Sequence, residues 1–214
     1  MELITWFIDF ILHLDEHLIE LVAQYHLWIY AILFLIVFCE TGLVVTPFLP
    51  GDSLLFAVGA LAAVDTTGTL NPLYCWALLI VAGVLGDAVN YRIGAFIGPK
   101  AFSGHYPWLK QEYLRKTQAF YERHGKMTII LARFVPIVRT FAPFVAGVGQ
   151  MKWSVFTAYN VIGAFSWVTI FIWGGYLFGN VPIIKNNFGI VTIAIIVISV
   201  IPVVVGLMRS RGST

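Results

Sequence analysis

Charged residues are scarce in this chain of 214 residues: they make up 11%, against 59% hydrophobic residues, and the mean hydropathy is +0.87. A soluble domain carries roughly 25% charged residues. The composition therefore excludes an ordinary soluble domain and predicts an all-α integral membrane protein. The length fits a single membrane domain over residues 1–214.

Basic residues are absent before Arg92, although nine of the eleven acids lie in residues 1–91. The N-terminus therefore lacks the basic region of a signal peptide, and it also lacks a small-residue cleavage site. The basic residues gather in residues 92–152 and in the C-terminal tail. Because basic loops tend to stay in the cytoplasm, the 99–126 segment and the tail are expected on the cytoplasmic side.

Cysteine is limited to Cys39 and Cys75, which lie in or beside apolar segments. A disulfide between them is one alternative. Their apolar surroundings favour the other, in which each is a free cysteine that acts as a small buried hydrophobic side chain. Several enzyme signatures are also missing: His-Glu-x-x-His, Gly-x-Ser-x-Gly and the Lys-rich phosphatase pattern that ends in Arg-Pro. His13 and His17 stand four apart but lack that zinc motif, which favours a solvated face. We therefore expect no enzymatic activity, no cofactor and no metal.

Apolar runs long enough to span a bilayer are missing from the first third of the chain. Residues 28–39 and 53–64 would each form about 18 Å of helix, whereas the hydrocarbon core is about 30 Å thick. Helix breakers lie between the two runs, at Pro47, Pro50 and Gly51. We interpret residues 28–64 as a re-entrant helical hairpin, with Glu40 and Asp52 on either side of its break.

A second interruption falls in residues 127–150, where the helix breaker Pro136 lies between Arg133 and Arg139. It repeats the first pattern with the opposite charge: a short apolar run, two charges around a proline, and a second apolar run. We interpret it as a second re-entrant hairpin. Acids in one break and arginines in the other indicate one shared site built from two related halves.

The remaining segments complete a predicted inverted repeat. Residues 73–98, 154–179 and 188–208 are long enough to span the bilayer. Residues 1–25 form an amphipathic helix candidate that lies at the interface or lines a watery cavity. Residues 99–126 are predicted as a basic amphipathic segment on the cytoplasmic surface, with a small soluble cap as the alternative. Two hairpins that open to opposite faces, each followed by spanning helices, are typical of transporters.

Charges at membrane depth are costly, at roughly 2.5–3.5 kcal/mol each. Four of them without partners would cost on the order of 10 kcal/mol, comparable with the stability of a whole domain. They are therefore expected to be paired or to face water: Glu40, Asp52, Arg133 and Arg139. Either they form buried ion pairs that lock the hairpins together, or they build a polar site. In such a site the guanidinium groups suit phosphate, and the acids supply countercharge or carry a proton.

Asp87 is a further candidate for countercharge or proton coupling. It follows Gly83 and Gly86, which allow a close helix approach, and it shares a helix face with Tyr91. The alternatives are a local ion pair with Arg92 or a helix cap near the interface.

These motifs resemble the DedA family of bacterial membrane proteins, relatives of the SNARE-associated Golgi (VTT-domain) proteins. The resemblance covers essentially the whole chain. Its specific parts are Glu40 with Phe48-Leu-Pro50-Gly51-Asp52, Gly83-x-x-Gly86-Asp87-x-x-x-Tyr91-x-x-Gly94, and Arg133-Phe-x-Pro136-x-x-Arg139 with Ala146-Gly147. By motif position, Glu40 and Asp52 match the acidic pair of the family, and Arg133 and Arg139 match its arginine pair.

The resemblance implies paired re-entrant hairpins in an inverted repeat. It also implies lipid movement across the bilayer: some bacterial members recycle the undecaprenyl phosphate carrier, and the eukaryotic relatives scramble phospholipids. Some members depend on the proton motive force. The substrate differs among relatives, so the particular lipid does not follow from the resemblance.

The sequence predicts a multi-pass membrane protein with a cytoplasmic C-terminus, and the resemblance implies that it lies in the bacterial inner membrane and moves undecaprenyl phosphate or a phospholipid. Arg133 and Arg139 are expected to hold the phosphate head group, while Glu40, Asp52 and Asp87 provide proton coupling or countercharge. The alternative functions are a proton-coupled antiporter of small ions or drugs, and a structural role. Expected partners are membrane lipids and protons; a homo-oligomer is compatible with this interpretation, and no nucleic acid is expected.

Overall fold

A computed structural model describes residues 27–43, 51–65, 68–101 and 127–179, together with positions 181, 182, 191 and 194. Every regular element within these residues is a helix, which confirms the all-α class. Three predictions fall wholly or mostly outside them: the N-terminal helix of residues 1–25, the cytoplasmic segment beyond residue 101, and the span of residues 188–208. The breakers Pro47 and Pro50 also lie outside the described residues.

Five helices are described. They are α1 (Trp28–Gly42), α2 (Gly51–Val64), α3 (Pro72–Ala101), α4 (Pro136–Val148) and α5 (Trp153–Phe178). Residues 127–132 are also helical. The boundaries of α3 and α5 lie within one to three residues of the predicted segments 73–98 and 154–179, and the short helices flank the two predicted interruptions.

Helix length separates these elements into two groups. In the described part of the chain, the 27 residues Pro72–Gly98 of α3 and the 26 residues of α5 are long and apolar enough to cross a bilayer. At 1.5 Å per residue each is roughly 40 Å long. The helices α1, α2 and α4 have 15, 14 and 13 residues, so none of them spans the hydrocarbon core alone.

Helix α3 has two different faces. Val81, Leu85 and Val89 follow one another at four-residue spacing, and 49%, 46% and 39% of their surfaces are exposed. Asp87 and Asn90 lie on the other side of the same helix and are buried. Large apolar side chains on the outside and polar side chains inside are the arrangement that a lipid environment favours.

The described residues divide between two compact units. The first takes its described residues from Met1–Phe34, Pro50–Leu79 and Val168–Thr214. The second takes them from Leu35–Leu49 and Ile80–Trp167. The helices α1, α3 and α5 therefore contribute residues to both units, whereas α2 belongs to the first and α4 to the second.

In the first unit, α2 and the end of α5 approach until their backbones touch. A Cβ on Gly59 would lie 2.0 Å from the Ile172 carbonyl oxygen, and a Cβ on Gly175 would lie 2.0 Å from the Phe56 carbonyl oxygen. No side chain fits at either glycine. Close contact of this kind is what holds helices together in lipid, where apolar burial gives little driving force.

The same contact recurs in the second unit between α3 and α4. A Cβ on Gly147 would lie 2.1 Å from the Tyr91 carbonyl oxygen, and a Cβ on Gly94 would lie 2.1 Å from that of Phe144. In each unit the short helix contributes Phe-x-x-Gly and the long helix contributes Gly-x-x-x-Gly. In the first unit these are residues 56–59 and 175–179, and in the second they are residues 144–147 and 94–98. The two units thus use one packing motif.

Candidate functional site

The second unit gathers four of the charged residues that the sequence singles out: Glu40, Asp87, Arg133 and Arg139. All four are buried, with at most 4% of their surfaces exposed. Asp52 is also buried, but it belongs to the first unit, in the first turn of α2. Four ionised groups in a buried environment require compensating partners.

A tight turn places Arg133 between the helical residues 127–132 and α4. The N–H groups of Arg133, Phe134 and Val135 each donate to the carbonyl three residues earlier, at 3.2, 3.2 and 3.0 Å. Val135 is extended, as expected of a residue before proline, and Pro136 begins α4. The predicted breaker Pro136 therefore acts at the start of α4, and it separates Arg133 in the turn from Arg139 in the helix.

Arg133 forms an ion pair with Asp87 of α3, which lies 46 residues earlier in the chain. The Nη2 group also donates to the Asn160 Oδ1 of α5 at 2.6 Å and to the Gly83 carbonyl at 3.3 Å. The Asn160 amide is itself held in place, because its Nδ2 donates to the Val84 carbonyl at 3.0 Å. One guanidinium nitrogen thus links the turn, α3 and α5.

Arg139 forms a second buried ion pair, with Glu40 near the end of α1. The two residues lie 99 positions apart, one in each predicted hairpin. The structure therefore brings together an acid of the first interruption and an arginine of the second, a contact that fits both alternatives: ion pairs that lock the hairpins, and a shared polar site.

Trp167 of α5 lies beside both arginines and is fully buried. Its ring centroid is 4.9 Å from the Arg139 Cζ and 5.8 Å from the Arg133 Cζ, distances at which a cation is attracted to an aromatic ring. The two guanidinium groups therefore converge on one side chain. With Glu40 and Asp87 ionised, the charges of this cluster sum to zero.

The Arg133 guanidinium retains hydrogen-bonding capacity. Among the described residues, its Nε and Nη1 groups have no hydrogen-bond partner, and neither has the Asp87 Oδ1. Two glycines give the side chain its space: a Cβ on Gly163 would lie 2.9 Å from the Arg133 Cδ, and one on Gly83 would lie 3.3 Å from Nη1. A buried arginine with unused donors can bind an oxyanion, because a charged acceptor forms strong hydrogen bonds with guanidinium N–H groups.

Three buried residues of this cluster were not predicted from the sequence: Asn90, Asn160 and Trp167. A signal was present for the asparagines, since each is the one amide side chain of its helix and buried amides need hydrogen-bond partners. Trp167 gave no comparable signal, because tryptophan is common in apolar segments of membrane proteins.

The structure shows the partner of Asp87, which is not Arg92. Its carboxylate pairs with Arg133, whereas the neighbouring Arg92 places its guanidinium 4.5 Å from the centroid of the Trp153 ring. Tyr91, which shares the face of Asp87, donates from its hydroxyl to the Met151 carbonyl and stacks on Phe156. Asp87 is thus a member of the buried cluster and not a local surface pair.

Metal-ligand geometry is missing from the described ranges, which contain no group of three or more His, Cys, Asp or Glu side chains that could hold an ion. His13 and His17 lie outside those ranges. Cys39 and Cys75 are both reduced, and Cys75 is fully buried.

The chain is similar to a known protein family and to several membrane proteins. The family model of the VTT domain matches residues 49–177. The chain is 57% identical to Protein DedA of Escherichia coli over 212 residues, which are 99% of this chain and 96% of that protein. It is 43% identical to an uncharacterized membrane protein of Mycobacterium tuberculosis, covering 82% and 77% of the two chains. It is 31% identical to the inner membrane protein YghB of Escherichia coli, covering 85% and 79%. No solved structure matches.

Proposed function

This chain belongs to the DedA family of VTT-domain membrane proteins, and from that premise we propose that it moves a phosphate-bearing lipid across the bilayer. The substrate class is undecaprenyl phosphate or a phospholipid, and the protein acts as a transporter and not as an enzyme. A bacterial inner membrane is the proposed location, with the C-terminus in the cytoplasm. The name of the inner membrane relative and the basic C-terminal tail support this placement.

The observation that carries this proposal is the convergence of two buried arginines on Trp167, with unused donors on one of them. Planar guanidinium groups recognise phosphate through paired N–H donors. Arg133 has unused Nε–H and Nη1–H donors on two different edges of its guanidinium plane, so each can donate a single hydrogen bond to a phosphate oxygen. Both bidentate edges of this group include Nη2, which already donates to Asp87.

The acids explain how the site stays stable without substrate. Each arginine is neutralised by its own carboxylate, Asp87 or Glu40, so neither guanidinium is buried without a countercharge. Entry of a phosphate brings further negative charge into this balanced cluster. Protonation of one carboxylate restores the balance, and this links lipid movement to protons.

The repeated helix contact supports the proposed inverted repeat of two re-entrant hairpins. The short helix α2 packs on α5 by the same glycine motif with which α4 packs on α3. Each short helix therefore packs on the long helix that belongs to the other half of the chain. Repeats of this kind can carry alternating access, in which one half moves against the other around a site near the bilayer midplane.

Replacing Arg139 by lysine tests the phosphate site. Lysine keeps the charge but loses the planar fork. We therefore expect the rate of lipid translocation across the proteoliposome bilayer to fall at least about tenfold. The matched control is Arg92→Lys, the same change at an exposed arginine beside Trp153, which should leave the rate unaltered. Translocation that survives Arg139→Lys at the wild-type rate, in protein of normal thermal stability, would remove Arg139 from the head-group site.

Replacing Glu40 by glutamine tests the proton link. Glutamine is nearly isosteric but cannot ionise, so a rate that depends on pH in the wild-type protein should become independent of pH in Glu40→Gln. The measurement is the translocation rate across a series of pH values, equal on both sides of the membrane. A pH dependence that persists in the variant would assign the proton to another carboxylate, with Asp52 the next to test.

A further inference from the structure

Asn90 lies within the candidate site, and the proposed function gives it no role. It is completely buried on α3, three residues after Asp87. Its Nδ2 group donates two hydrogen bonds, one to the Thr41 carbonyl at 3.1 Å and one to the Thr140 carbonyl at 2.8 Å. Both hydrogens of one amide are therefore used, and each reaches a different short helix.

The two carbonyls that Asn90 binds stand next to the second ion pair. Thr41 directly follows Glu40 in α1, and Thr140 directly follows Arg139 in α4. Because Thr41 is the second-last residue of α1, its carbonyl is one of those that a helix end leaves without an intrahelical donor. The amide orientation is also determined, since turning it over would place its oxygen against two carbonyl oxygens.

From this geometry we propose that Asn90 is a positioning residue: it holds the backbones at 41 and 140 together, and thereby keeps Glu40 opposite Arg139. Its consequence for transport rests on the proposed function, but the positioning itself does not. A residue that served packing alone would be better apolar, because a buried amide costs free energy and its Oδ1 has no hydrogen-bond partner within the described residues.

Cross-linking measures this positioning without any transport assay. In protein with Cys39→Ala and Cys75→Ala, the changes Glu40→Cys and Arg139→Cys allow a short bifunctional thiol reagent to join the two positions. We expect a high yield with Asn90 in place and a yield at least about fivefold lower with Asn90→Ala, because two buried hydrogen bonds are lost. An unchanged yield with Asn90→Ala would overturn the proposal.

Translocation gives a second, independent test with the ion pair intact. Asn90→Asp keeps the shape of the side chain but removes both donors and places negative charge beside two carbonyls, so the rate should fall at least about tenfold. The matched control is Asn71→Asp at the start of α3, where the side chain accepts from the N–H groups of Leu73 and Tyr74 at 2.9 and 3.3 Å. Aspartate caps as well as asparagine, so this control should behave as the wild type.

A double-variant comparison separates positioning from general stability. If Asn90 acts through the second ion pair, Asn90→Ala should slow an Arg139→Lys protein by less than about twofold beyond the single change. Asn160→Ala acts on Arg133 instead. Its fold decrease in translocation rate should therefore multiply with that of Arg139→Lys. Multiplying effects for Asn90→Ala would contradict the proposal. Wild-type protein that moves no lipid would reject the proposed function, while the cross-linking yield would still decide the role of Asn90.

Discussion

Replacing Asp87 by asparagine should abolish lipid translocation and lower the free energy of unfolding by about 3–5 kcal/mol. The change leaves the Arg133 guanidinium buried beside a neutral amide, with 2% of its surface exposed. Asn160 and the Gly83 carbonyl still accept from Nη2, but neither carries a charge. The stability is measured by thermal unfolding of the purified protein in detergent, and the activity by translocation in liposomes.

The double variant Asp87→Asn with Arg133→Gln decides whether this pair serves structure or function. Both charges are gone, so no ion is left buried and most of the lost stability should return. Lipid translocation should remain absent, because the phosphate-binding donors of Arg133 are missing. A double variant that regains both stability and translocation would show that the pair only locks the helices together, which is the alternative that the sequence left open.

The second large effect is expected at Gly175 of α5, and the neighbouring Gly174 provides its control. Gly175→Ala should lower the free energy of unfolding by about 3 kcal/mol or more, because the new Cβ would lie 2.0 Å from the Phe56 carbonyl oxygen. Gly174→Ala makes the same change one residue earlier, where no atom lies within 4 Å of the new Cβ. Since alanine favours a helix by about 1 kcal/mol over glycine, this control should be neutral or stabilising.

The comparison of these two variants tests the helix contact directly, because helix, chemical change and depth are nearly the same. The measurement is the midpoint of thermal unfolding in the same detergent. Equal midpoints for Gly174→Ala and Gly175→Ala would contradict the close approach of α2 and α5, and with it the repeated packing motif that supports two related halves.

The helical character and the interruptions could be predicted because they depend on local chemistry. Pro136 cannot continue a helix, and it lies at the start of α4 with an extended residue before it. The apolar runs of α3 and α5 are long enough to identify by length alone. The burial of Glu40 and Arg139 against charged partners could also be predicted, because an unpaired charge in lipid has a high free-energy cost.

The choice of partners could not be predicted, because it depends on contacts between distant parts of the chain. Arg133 reaches Asp87 only where Gly83 and Gly163 leave room for its side chain. Before that contact is known, Arg92 is an equally reasonable partner for Asp87. The sequence groups Asp52 with Glu40 as a pair of acids at the first interruption, and this grouping stays a prediction.

Lipid translocation by wild-type protein in liposomes tests the central claim most directly. Undecaprenyl phosphate and phosphatidylethanolamine are compared, with and without a pH gradient, against the Asp87→Asn, Arg133→Gln double variant as a folded control. The account predicts that the wild type moves at least one of these phosphate-bearing lipids and that the double variant moves neither. Folded wild-type protein that moves neither lipid would contradict it and would favour an ion-coupled antiporter or a structural role.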